Sequence, residues 1–132
     1  MNKEIIMPVA SKAESGEIDR SQWAAFFGEF SKRNLSRATR LETFGDLGAQ
    51  EEEQNLPLNG VSVEETGAGA PRIEIMLGGE SPGDERHLTH TIARASRVFT
   101  KTSADGHDEA LEIEDADGVK TLLQFESLPK LK

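Results

Sequence analysis

Residues 97–126, RVFTKTSADGHDEALEIEDADGVKTLLQFE, decide the fold. Ala104-Asp105-Gly106 is echoed twelve residues later by Ala116-Asp117-Gly118, and each tripeptide is followed by alternating apolar and polar residues. Turn chemistry followed by period-two alternation predicts a three-stranded antiparallel meander. Reading Ala116-Asp117-Gly118 as a three-residue loop, with Gly118 in the left-handed conformation, sets Asp115 against Val119. Counting outward pairs Glu114 with Lys120, Ile113 with Thr121, Glu112 with Leu122 and Leu111 with Leu123. Leu111, Ile113, Thr121, Leu123 and Phe125 then share one buried face. A one-residue slip would turn them all to solvent. The same loop at Ala104-Asp105-Gly106 sets Phe99 opposite Leu111 and Lys101 opposite Glu109, adding Phe99 to that face. Leu122 points outward, toward the helix, another strand or a partner.

Upstream, Trp23, Phe26, Phe27 and Phe30 recur at i, i+3, i+4 and i+7, which places four of the chain's seven aromatic residues on one helical face. Asp19 and Gln22 stand at capping-box spacing, and Ile18 with Trp23 at the spacing of a hydrophobic staple. The helix is expected to end near Asn34 and to cover the sheet. From Arg37 to Phe44 the chain reads as extended, followed by a turn at residues 45–48 and a polar strand from Ala49 to Gln54. Pro57 has no N–H for a ladder, so Leu56-Pro57-Leu58-Asn59-Gly60 is expected to interrupt pairing before Val61 and Val63 resume it. Ile73, Ile75 and Leu77 alternate with Arg72, Glu74 and Met76 as a half-buried strand. Leu88, His90 and Ile92 share one face of the next.

The helix is segregated from the strands, with no βαβ alternation, so the fold class is α+β. An N-terminal helix packs on a twisted, mainly antiparallel sheet of five to seven strands, and closure toward a small, partly open barrel stays undecided. A chain of 132 residues suits one domain. Its expected bounds are residues 18–127, with an N-terminal extension over 1–17 and a short tail over 128–132. Within the extension, Ile5 to Val9 could add an edge strand.

The sequence has no cysteine, which removes disulfides, thiolate nucleophiles and cysteine-bound zinc together. The run from Ile5 to Ala10 is too short for a secretory signal, and no other apolar run approaches a membrane span. A soluble cytoplasmic protein with no membrane partner is expected. The formal charge of −9 opposes attachment to phosphate backbones, so no nucleic-acid partner is expected either. Acidic residues concentrate at Glu51-Glu52-Glu53. The basic residues are dispersed, their closest approach to a cluster running from Lys32-Arg33 to Arg40.

The order of motifs resembles an uncharacterised, mostly bacterial family known only as a domain of unknown function. The resembling residues are Ile18, Trp23, Phe26-Phe27 and Phe30-Ser31; Leu56-Pro57-Leu58 with Gly60-Val61; His87-Leu88-Thr89-His90-Thr91-Ile92; and Glu109 to Glu114 with Asp117-Gly118 and Thr121-Leu122-Leu123-x-Phe125. The resemblance covers Ile18 to Ser127 and implies no activity.

Candidate chemistry is sparse. On a strand, the odd spacing of His87 and His90 sends the two imidazoles to opposite faces, so a shared metal is not expected. His90, between Leu88 and Ile92, is the residue to carry any ligand role, because its charge can switch near neutral pH; the competing reading is a partly buried structural histidine. Asp84-Glu85-Arg86-His87 reads as a polar loop. Asp115-x-Asp117-Gly118 reads as a turn, since Ile113 occupies the first position a calcium loop would need. No serine lies in a nucleophile elbow, and Gly78-Gly79 with Gly83 lacks the lysine of a phosphate loop. With no catalytic or metal residues and no cofactor expected, the function reads as a noncatalytic acidic interaction or accessory domain. The alternative is a small-ligand-binding protein with a pocket between helix and sheet near His90. The partner, protein or small molecule, is undetermined, and homo-oligomerisation stays open.

Overall fold

Trp23–Arg33 forms α1, with Trp23, Phe27 and Phe30 buried and Phe26 half-buried against them, as the aromatic spacing requires. Asp19 does cap a helical start, but of a 3-10 turn at Arg20–Gln22, where its carboxylate accepts from the Ser21 N–H. The Gln22 side chain makes no capping bond, so the capping box is half realised. Ile18 packs against the core, and its carbonyl accepts from Trp23 Nε1 at 3.2 Å. The computed structural model describes residues 14–46, 48–78 and 86–126.

The strands are β1 (Glu14–Glu17), β2 (Ala38–Gly45), β3 (Gly48–Glu64), β4 (Arg72–Leu77), β5 (Leu88–Ile92), β6 (Ala95–Thr102), β7 (Asp108–Asp115) and β8 (Lys120–Phe125). They form one antiparallel sheet in the order β1-β6-β7-β8-β2-β3-β4-β5, with α1 packed against β3. The fold is α+β, and the sheet is not closed into a barrel. The eight strands among the described residues exceed the expected five to seven, in part because Glu14–Glu17, assigned by sequence to the extension, pairs with Thr102–Phe99 at the sheet edge. Backbone pairing needs no side-chain periodicity, so this strand left no pattern to read. The candidate strand Ile5–Val9 lies outside the described residues.

Pro57 does not break the ladder. β3 runs through it and changes partners, pairing with β2 up to Pro57 opposite Ala38 and with β4 from Leu58 onward. Irregular register on both sides, and Asn55 at φ 67°, bend the strand so that the missing N–H falls at the changeover. The inner faces of both parts of the sheet then close on one core, including Leu41, Leu58, Ile73, Ile75, Leu111, Ile113 and Leu123.

The β7–β8 register follows the sequence reading from Leu111↔Leu123 to Glu114↔Lys120. Gly118 has φ 85°, and the Asp115 N–H donates to the Val119 carbonyl at 3.0 Å. The β6–β7 register does not follow it. Thr102 faces Asp108 and the Ser103 N–H donates to the His107 carbonyl as expected, but Lys101 then pairs with Ala110, Thr100 with Leu111 and Phe99 with Glu112. A bulge at Glu109 moves Phe99 to the outer face and brings Val98 inward.

Candidate functional site

The bulge has a tertiary cause. Asp108 is drawn inward to the C-terminal end of α1, where its side chain is only 6 % exposed. Arg33 donates to its carboxylate twice, from Nε at 2.9 Å and from an Nη at 3.2 Å, and Asn34 Nδ2 donates at 2.8 Å. Inward positions at both Asp108 and Leu111 are three residues apart, which period-two alternation cannot supply without an extra residue. Burial pushes the Asp108 carboxyl up, but Arg33, Asn34 and nearby Arg37 together hold it below the ordinary carboxylate value.

Arg37 is placed by the tight corner after α1. Ser36, at φ 71°, donates its N–H to the Leu58 carbonyl, and the Leu58 N–H donates to the Arg37 carbonyl. The guanidinium is fixed by Nη1 bonds of 2.9 Å to Asn34 Oδ1 and to the Asp108 carbonyl, and it stacks 4.3 Å from the Phe125 ring centre. Its Nε is buried without a hydrogen-bond acceptor, the one such side-chain atom among the described residues. An orphaned donor of this kind costs about 1–3 kcal/mol.

Arg37 lines a cavity of about 500 Å³ at the rim of the sheet, together with Arg40, His107, Asp108, Gln124 and Phe125. Asp105, Glu109 and Glu126 also line it. Asp105 is occupied within its own turn: hydrogen bonds from Ser103 and then His107 hold its carboxyl down to about 2. Arg40 stands 3.5 Å from Glu51, with both side chains nearly half exposed.

A second depression, of about 310 Å³, lies on the outer face. Phe99, Ala110 and Leu122 supply its apolar surface, and Lys101, Glu112 and Gln124 its polar lining. Leu122 is outward, as its register requires, beside Glu112 on β7 and Glu42 on β2. Arg97 stacks 4.8 Å from the Phe99 ring centre and pairs with Glu17 on β1. Gln124 lines both depressions, so they adjoin at that residue.

His90 sits half-buried on the inner face of β5, opposite Ile75, and lines neither depression. His87 is exposed just before the strand. The helix–sheet interface is filled by Trp23, Phe27 and Phe30, each no more than 1 % exposed. Asp115, Asp117 and Gly118 form a turn in which Asp115 Oδ1 accepts from the N–H groups of Asp117 and Val119. Asp84, Glu85, Gly79 and Gly83 lie outside the described residues. Among the described residues no cluster of three or more His, Asp or Glu is placed to hold a metal ion. Among them, too, no helix is long and apolar enough to cross a membrane.

A model of the family of unknown function DUF5335 matches residues 14–132. The chain belongs to that family. The resemblance drawn from the motifs is thereby shown at the level of a family of unknown function, and the match starts at β1, before Ile18. No curated protein and no solved structure matches the chain. The family assigns no role to any residue, so the site rests on geometry. The spacing of the sequence shows Lys32-Arg33 to Arg40 only as the closest approach among dispersed basic residues, does not single out Asp108, and sets Phe99 on the buried face, where the bulge at Glu109 does not leave it.

Proposed function

We propose that this protein is a noncatalytic interaction domain that binds a protein partner through the outer face of the sheet. The supporting observation is the grouping of Phe99, Ala110 and Leu122 around a depression lined by Lys101, Glu112 and Gln124, on the face opposite α1. An apolar centre with an aromatic anchor and a polar rim is the usual anatomy of a protein interface. Placement in the cytoplasm, and no affinity for nucleic acid, are parts of this proposal, supported by the cysteine-free sequence and the formal charge of −9.

The test is quantitative capture of partners from the source cell by wild type and variants. Leu122→Lys, at a half-buried outward position, should abolish capture of the specific partner while thermal unfolding shows the chain still folded, since a lysine stem can cover the same apolar surface with its ammonium in water. Leu35→Lys, at an exposed corner away from the face, should capture normally. His90→Gln separates this proposal from ligand binding at His90, since capture should persist. Undiminished capture by Leu122→Lys and by Phe99→Ser would overturn the proposal.

A further inference from the structure

The outer face changes character along the strands. Leu122 and Gln124 project from the same side of β8, and Arg40 faces Gln124 across the β2–β8 ladder. Two residues along a strand span about 7 Å and neighbouring strands lie about 5 Å apart, so the cationic Arg40 stands one such step along and one strand across from Leu122. Beyond Arg40 lies the rim cavity with Arg37, whose guanidinium is already immobilised and whose Nε lacks an acceptor. A fixed guanidinium loses little freedom on pairing, and its planar fork suits a carboxylate.

We propose that the two depressions adjoining at Gln124 together recognise an extended peptide segment of the partner in which an apolar side chain is followed, two residues later, by a carboxylate. This rests on the interaction reading above. The apolar side chain sits against Phe99 and Leu122, and the carboxylate reaches Arg40 and the Arg37 end of the rim. In an extended peptide, residues i and i+2 project from one side about 7 Å apart, the same step as Leu122 to Gln124. The rim carboxylates define which anion fits. Asp108 is satisfied by Arg33 and Asn34, and Asp105 by Ser103 and His107, but Glu109 and Glu126 still face the cavity. They disfavour a doubly charged phosphate more than a singly charged carboxylate. The half-exposed Arg40–Glu51 pair is weak enough to be exchanged.

The experiment is a nuclear magnetic resonance titration of the isotope-labelled full chain with three end-blocked heptapeptides: Gly-Ser-Leu-Ser-Glu-Ser-Gly, the same peptide with Gln for Glu, and the same with Ser for Leu. The first should shift the amides of Leu122 and Gln124 and the Nε–H signal of Arg40. Replacing Glu by Gln should weaken binding about tenfold, the loss of one charge-assisted contact, and replacing Leu by Ser should weaken it at least as much. Arg40→Gln, at an exposed position, should erase the difference between the Glu and Gln peptides without unfolding the chain. Equal binding of those two peptides would overturn the carboxylate preference, and no shifts with any peptide would overturn the groove assignment. Both results leave the capture experiment with Leu122→Lys as an independent judgement of the interaction reading.

Discussion

The two Ala-Asp-Gly hairpins share a tripeptide and a glycine at positive φ, yet only one keeps the register its turn sets. At 115–119 the loop is closed by its own residues, with Asp115 accepting from the N–H groups of Asp117 and Val119, and pairing continues without a shift to Ala110↔Gln124. At 103–107 the loop is also locally closed, through Ser103 and His107, but two residues farther on the pairing shifts. The difference lies in Asp108, which is bound to the end of α1. Turn chemistry fixes a register only until a side chain in the strand acquires a stronger partner elsewhere. Here the consequence reaches the proposed site, because the bulge that accommodates Asp108 also turns Phe99 outward, into one cross-strand row with Glu112 and Leu122.

The largest expected effect tests whether the first hairpin depends on the helix. Trp23→Ala should cost about 3–5 kcal/mol in denaturant unfolding, the range for removing a large buried aromatic. In native-state hydrogen exchange it should deprotect the amides around the β6–β7 loop more than those around the β7–β8 loop. Equal deprotection would break the comparison. Asp108→Ala removes the anchor itself and leaves Arg33 and Asn34 unmatched. Because Arg33 is 48 % exposed and can regain water, a loss of about 2–3 kcal/mol is expected, below that for a fully buried pair. The spectrum should also show altered pairing near Glu109, with β7–β8 contacts retained.

Acid titration sharpens the same contrast. The Asp108 carboxyl is held below its ordinary value in the fold, so ionised Asp108 contributes stability above the unfolded carboxylate range near about 4 and loses that contribution as pH falls through the lower folded value. Thermal unfolding as a function of pH should therefore show a shallower acid loss in Asp108→Asn than in wild type, and matching slopes would show that Asp108 is not the anchor. The smallest effect belongs to the locally closed hairpin. Gly118→Val should cost about 1–2 kcal/mol from positive φ alone, since a Cβ there meets no atom within 4 Å. Ala116→Ser should stay within about 0.5 kcal/mol. Equal stabilities by denaturant melt would mean that Gly118 does not carry the turn.

Periodic side-chain patterns determined the parts of this protein in which local geometry and burial agree. These include the aromatic face of α1, the alternating core of β4, the whole β7–β8 register and the outward position of Leu122. Each follows from residue spacing, because a helix or strand repeats its faces at a fixed period. The tertiary structure alone decided the rest. β1 joined the sheet through backbone bonds, β3 bent through Pro57 at a change of partner, and Asp108 found Arg33 and Asn34 from 75 and 74 residues away. The rim cavity and the outward Phe99 depend on that last contact. Local spacing cannot encode them, since a buried carboxylate must be matched by a partner wherever the chain brings one, and its requirement outweighs the alternation of the strand that carries it.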